Sequence, residues 1–267
     1  MTMKLLTCNI RFSSMGQDTG VRFWKNRREY CLKTMLSRQP DILCLQECHN
    51  EQFADLQSGL GSGWSAFWIM SFPGGFYPEN AIFYRNDFAR IVNCGGYWLS
   101  ETPHIPGSRS WGSECVRLVN YAVFETPEGM IRIVNTHLDH ASQTAREKQA
   151  DMVNADAAAW PSDLPQILTG DMNGDFSNSA VQRLLNGGWS DTHAEATGIR
   201  DERFTFHGFL GEQWKADPDP GPCGNGKMDW IMSRGPIRTR SSEIIMDHDG
   251  ELYPSDHYFV GVDLTLS

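Results

Sequence analysis

A chain of 267 residues, 40% hydrophobic and carrying nine Trp and fourteen Phe, can build one large layered core or two small domains. Its 33 acidic residues against 23 basic ones leave a net charge of −10, which argues against a nonspecific nucleic-acid binder with a basic stripe. A metal-dependent nuclease is not excluded, because bound cations change the local field sharply.

The chain opens MTMKLLTCNI, with one Lys and a short apolar run broken at once by Asn9 and Arg11. That run is too short and too polar for a signal peptide, and no segment has the uninterrupted apolar length of a membrane span. Seven cysteines form an odd set with no CxxC, so they read as reduced thiols in a cytoplasmic protein. Cys44 and Cys48 come nearest to a spaced pair. The residues between them read as the end of a strand rather than as half of a zinc site.

Taken in chain order, an apolar run predicts a first strand over 5–10, within which Asn9 is the polar residue near the end. Helical spacing predicts a helix over 23–37, stopped before Pro40. A second strand over 42–46 runs into Glu47. A buried strand finishing on Glu offers a hard oxygen ligand to Mg²⁺, and the alternative is an acid facing solvent. After a strand at 81–84, runs at 116–124 and 131–137 predict a hairpin across 125–130. It carries Arg117 near its start and ends on His137, with Asp139 and His140 following as a polar, wet rim.

A helix over 142–160 and a strand over 166–169 follow, and that strand opens into Thr169-Gly170-Asp171-Met172-Asn173-Gly174-Asp175. Asp171 offers a base or a ligand there, and the Asn173 amide offers a donor to an oxyanion. A calcium loop is the rival reading, but Phe176 stands where its glycine is required and Gln182 where its glutamate is required. An ordinary turn with Asx hydrogen bonds is the other. A short helix spans 179–186, and the Pro/Gly-rich stretch 216–226 reads as a surface loop. The strand at 228–232 contains Asp229, an acid inside an apolar run that needs a partner or a shifted pKa. Ser255-Asp256-His257 then lead into the last strand, 258–266. His257 there can exchange protons or carry charge beside a phosphate.

Strands, helices and hairpins in this order predict mixed sheets in one compact domain. Five strands end in, or contain, small acidic, Asn and His residues, and open α/β layers place sites at strand ends. No GxGxxG follows the first strand, and GxxxxGK[ST], HExxH and GxSxG are absent. Without a side-chain nucleophile, metal-assisted attack by water is the economical chemistry.

The set TCNIR (7–11), PDILCLQE (40–47), NTHLDH (135–140), LTGDMNGD (168–175), KMDWIM (227–232) and SDHYFV (255–260) resembles the endonuclease/exonuclease/phosphatase superfamily. The pieces run in that superfamily's order over essentially the whole chain. The resemblance implies a DNase I-like α/β fold, a four-layer α/β/β/α sandwich with two packed mixed sheets flanked by helices. It implies Mg²⁺ or Mn²⁺ on Glu47, with Asn9 supporting the metal or phosphate and Asp256 completing the carboxylate cluster. It also implies His137 against a phosphoryl oxygen, Asp171 on the attacking water, Asn173 on the phosphorus, and Asp229 paired with His257. Arg11 departs from the exonuclease III-type apurinic endonucleases, which carry Asp at that position, and leaves one-metal and two-metal arrangements both open. Further stretches resemble a bacterial subgroup of metal-dependent hydrolases related to the deadenylase-like branch; Arg117 would face the phosphate, as an Arg in the corresponding strand does in related nucleases, with a surface or core salt bridge as the alternative.

Arg109, Trp111, His140, His207 and Phe209 lie in loops expected to overhang the strand ends and to hold an organic ring or sugar on the phosphate. The expected activity is hydrolysis of a phosphomonoester or phosphodiester, favouring a small phosphorylated metabolite or headgroup. A nuclease on DNA or RNA is the alternative, and a noncatalytic binding scaffold on the same fold is the other. Charge favours the small substrate, since the one dense basic group is Arg22, Lys25, Arg27 and Arg28.

Overall fold

The central strands of this chain are buried on both faces, and the architecture explains why. The computed structural model describes residues 2–13, 16, 18–72, 77–214 and 223–267; most of the loop expected at 216–226 lies outside them. The strands are β1 (Met3–Asn9), β2 (Ile42–Gln46), β3 (Trp64–Phe67), β4 (Ile82–Arg85), β5 (Arg90–Trp98), β6 (Leu118–Thr126), β7 (Gly129–His137), β8 (Gln166–Asp171), β9 (Ser190–Asp191), β10 (Asp229–Arg234), β11 (Ile237–Ile245) and β12 (Phe259–Leu266). They form two six-stranded mixed sheets, ordered β11-β12-β1-β2-β4-β3 and β5-β6-β7-β8-β10-β9.

Alternate residues of one strand enter different layers, as a period of two requires. Leu5, Ile42, Cys44, Ile133, Ile167 and Ile231 meet between the sheets. Leu6, Leu43 and Leu45 turn outward against Trp24, Cys31 and Met35 of helix α1 (Trp24–Ser37) and Phe53 and Leu56 of α2 (Asn50–Leu60). Val134, Leu168 and Met232 turn the other way, against Ala150 and Val153 of α3 (Gln143–Ala158) and Val181 and Leu184 of α4 (Ser179–Asn186). The result is the expected α/β/β/α sandwich. Burying both faces of a sheet produces unbroken apolar runs rather than an alternating pattern.

Topology puts the polar strand ends on one edge. β1 and β2 pair in parallel, as do β7 and β8, so Asn9, Gln46, His137 and Asp171 leave their sheets in the same sense within each pair. β10 runs antiparallel to β8 and starts with Asp229 level with Asp171. β12 runs antiparallel to β1, which brings the residues entering it, 255–257, to the end of β1. Beneath that edge a buried polar network ties the sheets together. Gln46 Nε2 donates to Asn135 Oδ1 at 2.7 Å, Asn135 Nδ2 donates to the Leu45 carbonyl at 2.8 Å, and Thr169 Oγ1 donates to Asn135 Oδ1 at 3.1 Å. Satisfied buried networks of this kind hold one relative placement of the two layers.

The hairpin of β6 and β7 is tighter than expected, with Thr126 opposite Gly129. The 142–160 helix begins where its cap dictates, since Ser142 Oγ accepts from the Ala145 amide. Five further elements, β3, β5, β9, β11 and the short α5 (Thr192–Thr197), are not among those expected from the sequence, nor is α2, although Phe53, Leu56 and Leu60 recur there at helical spacing. Among the described residues no helix is long and apolar enough to cross a membrane.

Gly170 shows how closely β7 and β8 approach above this network. It sits at φ +149°, and a Cβ there would lie 2.0 Å from the Thr136 carbonyl oxygen. Backbone cannot swing away as a side chain can, so Gly170→Ala should destabilise the protein by about 3 kcal/mol. Thermal unfolding checks this, with an expected Tm loss of roughly 6–12 °C for a chain of this size.

Candidate active site

Three neighbouring strands present one residue each on a single rung, His137 from β7, Asp171 from β8 and Asp229 from β10. All three are buried, Asp171 at 2% exposure. His257, just before β12, reaches in so that its Nδ1 lies 2.9 Å from Asp229 Oδ2 and its Nε2 3.9 Å from Asp171 Oδ2. Burial works against a charge on this imidazole, but Asp229, with Asp171 and Asp256, outweighs it and raises His257 to about 10. His257 is therefore an imidazolium at neutral pH. Asp171 goes the other way, pushed up to about 7 by burial and by Asp229, against the pull of His257 and the Asn173 amide.

His137 is held neutral, since burial and then Arg117 lower it well below its usual value. Its Nε2 is 2.9 Å from Asn173 Nδ2, which also donates to the Leu138 carbonyl at 3.0 Å. Nδ2 as donor and a neutral ring make Nε2 the acceptor. Asn173 adopts φ +44°, and its backbone N–H donates to Asp171 Oδ1 at 2.8 Å. Both amide protons of Asn173 are thus used within the protein. In this geometry Asn173 bonds to both His137 and Asp171 on the wall where the sequence suggested a donor to the phosphorus centre.

The other sheet contributes Asn9, Glu47 and Asp256. Asn9 Nδ2 bridges two carboxylates, donating to Asp171 Oδ2 at 3.0 Å and to Glu47 Oε1 at 3.2 Å. Glu47 sits at φ +59°, uncommon for a residue with a side chain, and its Oε2 accepts from the Phe12 amide at 3.1 Å. Burial raises Asp256, with Glu47 adding to the effect. Arg27 staples the loops behind these residues. Its guanidinium donates to the carbonyls of Ile10 and Arg11 after β1 and of Pro254 before Asp256, each at 2.8 Å. Fully buried, Arg27 is no part of a basic surface, and Arg28 is spent on Asp55 at 3.2 Å.

Ligating atoms of Asp171, Asp229 and His257 lie within 4.8 Å of one another, close enough to hold a metal ion. Within this group His257 keeps its Nδ1 on Asp229 and turns its Nε2 toward Asp171. Glu47 and Asp256 line the same cavity as Asp171 and bring to it carboxylate oxygens, the donors that a hard divalent cation prefers. Asp229 adds an oxygen, Oδ1, that is buried with no hydrogen-bond partner among the described residues.

These residues open into a cavity of about 750 Å³. Of the expected substrate-binding residues it takes in Arg117 and His140, and not Arg109, Trp111, His207 or Phe209. His207 is fully buried, stacked on Tyr258 at 4.1 Å, with its Nδ1 accepting from the Gly211 amide. Phe209 packs into the core between the sheets. The residue just before His207 is the one that matters: Phe206 bridges to His257 in the backbone, and its ring lies 5.1 Å from the imidazole. In an extended segment alternate side chains part, so Phe206 faces the cavity while its neighbours turn inward. Arg109 donates to the Glu114 carbonyl, and the Trp111 carbonyl accepts from Ser142 Oγ, so both fasten a loop. Asp139, expected on a wet rim, is fully buried and accepts from Ser113, Glu114, Cys115, Ala141 and Ser142. Five donors make it the anchor of that loop.

Sequence reasoning missed Phe12, His49, Glu79, Glu114, Phe206 and Trp214 on the cavity wall. For Glu79 a signal existed, an acid just ahead of a strand, the same placement that singled out Asp256.

The profile of the Endonuclease/Exonuclease/phosphatase family matches residues 6–257. The chain is similar to an endonuclease/exonuclease/phosphatase from Bacteroides vulgatus, with 25% identity and a TM-score of 0.86 over 100% of both chains. It is similar to a mannosyl-6-phosphatase of Bacteroides thetaiotaomicron, with 25% identity and a TM-score of 0.86 over 99% of this chain and 100% of that one. D. rerio TDP2 complexed with a single-strand DNA product shares the fold, at 17% identity and a TM-score of 0.75 over 99% of each chain.

Proposed function

Because this chain belongs to the endonuclease/exonuclease/phosphatase family and is a metal-dependent phosphoester hydrolase, we propose that it cleaves small phosphomonoesters, sugar phosphates among them, rather than nucleic acid. The observation that carries this reading is the cavity. Around its catalytic floor stand Glu79, Glu114, Phe206 and Trp214, and of its two arginines Arg11 faces Asp256 and Asp18 while Arg117 faces Glu79. A path for a polyanion needs a run of Lys and Arg along it, and among the described residues this lining has two arginines, no lysine and several carboxylates. The similarity to a mannosyl-6-phosphatase supports the same substrate class. An odd set of seven cysteines suits a reducing compartment, and we place the reaction in the cytoplasm.

Mg²⁺ or Mn²⁺, held by Glu47 with Asp256 and the Asn9 bridge beside it, would neutralise charge on the phosphoryl oxygens when bound. The chain's own groups do the rest. Asp171, with one oxygen fixed by the Asn173 amide and the other by Asn9, takes the proton of the attacking water. The water oxygen bonds to phosphorus as the bond to the leaving oxygen breaks, the leaving oxygen takes a proton from solvent to become an alcohol, and Asp171 returns its proton to solvent, leaving inorganic phosphate. His257, fixed as imidazolium by Asp229, stabilises charge developing on the phosphoryl group. The Asn173 backbone amide holds the Asp171 carboxylate in line, and the Asn173 side chain donates to neutral His137 beside it.

A metal-supplemented panel of hexose phosphates, phenyl phosphate, a phosphodiester, single-stranded DNA and poly(A) RNA tests this. The best hexose phosphate should exceed either nucleic acid in kcat/KM by about tenfold or more, with a shallow salt dependence. Preferred cleavage of DNA or RNA, losing about 10³-fold between 50 and 200 mM salt, would favour the nuclease reading instead.

A further inference from the structure

One ion pair on the cavity wall has no part in the reaction steps above. Glu79 precedes β4 and Arg117 precedes β6, so each sheet supplies one member, with Arg117 Nη1 3.6 Å from Glu79 Oε1. The pair is held from below. Asn80 Nδ2 donates to the Leu118 carbonyl at 2.9 Å, Asn120 Nδ2 returns a bond to the Asn80 carbonyl at 2.7 Å, and the Cys48 amide donates to the Glu79 carbonyl at 3.2 Å. Arg117 Nη2 lies 3.4 Å from His140 Nδ1 on the same wall.

Two features suit this pair to a ligand better than to stability. Its separation exceeds hydrogen-bonding range, so donor and acceptor capacity remains on both side chains. Arg117 Nε is also buried with no partner among the described residues, a cost that a purely structural pair would not be expected to carry. A carboxylate and a guanidinium fixed side by side match two adjacent hydroxyls. One hydroxyl donates to the carboxylate, and its neighbour accepts from the guanidinium. Phe206 and Trp214, edge to face at 5.1 Å, add an apolar wall to the same cavity, suited to the C–H face of a sugar ring.

We infer that Glu79 and Arg117 form the specificity site for the leaving group, reading adjacent hydroxyls of a sugar whose phosphate lies on the catalytic floor. This rests on the sugar-phosphate reading above and gives Arg117 a different task from the phosphate contact that the sequence resemblance suggested.

The test is a ratio measured within one protein preparation, kcat/KM on the best hexose phosphate divided by kcat/KM on phenyl phosphate, which lacks the hydroxyls. A fraction of misfolded protein cancels from it. Wild type should favour the hexose phosphate. Glu79→Gln and Arg117→Gln should each lower the ratio about tenfold or more, chiefly by raising KM for the sugar substrate. A ratio within twofold of wild type, or an equal loss on both substrates, would overturn this inference while leaving phosphomonoester hydrolysis standing. Wild-type protein that hydrolyses neither substrate, with metal present, would overturn both readings together.

Discussion

Asp171→Asn should lower kcat on every phosphomonoester by about 10²- to 10⁴-fold while KM stays within roughly threefold. Asp171 is joined to both sheets, through the Asn9 bridge on one side and the His137 rung on the other. Asn has the same shape and keeps an oxygen for the Asn9 amide, so the site should assemble. What it lacks is a group that can take a proton from water. A group acting only in the transition state costs kcat and kcat/KM alike and leaves substrate binding intact. Steady-state kinetics on phenyl phosphate, with unfolding curves matched to wild type, decide it. A kcat within tenfold of wild type would move the proton to another acceptor.

The second large effect concerns His257 and Asp229. His257→Gln should cost about 10²- to 10³-fold in kcat, the usual loss when one donor to developing charge is removed. Asp229→Asn should cost nearly as much, because Asp229 acts through His257. It carries the 2.9 Å contact to Nδ1 and is the leading cause of the raised pKa. The double variant should then be little worse than either single one, since residues working as a unit lose their function once. Fully multiplicative losses would show two independent roles, and would restore Asp229 as a candidate ligand in its own right.

Much of the catalytic floor is legible in the amino-acid sequence. A buried strand that ends in Glu, Asp or His advertises its site, because nothing in core packing calls for such a residue there. Glu47, Asp171, Asp229 and His257 stand out this way. The cavity wall is harder to read. Whether His207 or Phe206 faces the cavity depends on which side of an extended segment turns outward, and it is Phe206, bridged to His257 in the backbone, that lines it. Asp139 looks like a rim residue because its five donors are mostly backbone amides, which a sequence does not display. Arg27 looks like surface charge beside Arg28, yet its partners are carbonyls, two of them after β1 and one more than 220 residues further along the chain. Among the elements, β5 and β11 escape sequence reasoning for one reason. Each is an edge strand, and RIVNCGGYW and IRTRSSEII carry the polar and glycine residues that edges tolerate.

Dependence on a bound divalent cation is tested most directly by stripping the protein with a chelator and assaying phenyl phosphate hydrolysis, then adding back Mg²⁺ or Mn²⁺. Activity should fall by about 10²-fold or more on stripping and return with either ion. Glu47→Gln should need about tenfold or more metal for half-maximal rate, having lost the carboxylate at the centre of the donor set. Undiminished turnover by protein shown to be metal-free would contradict the account.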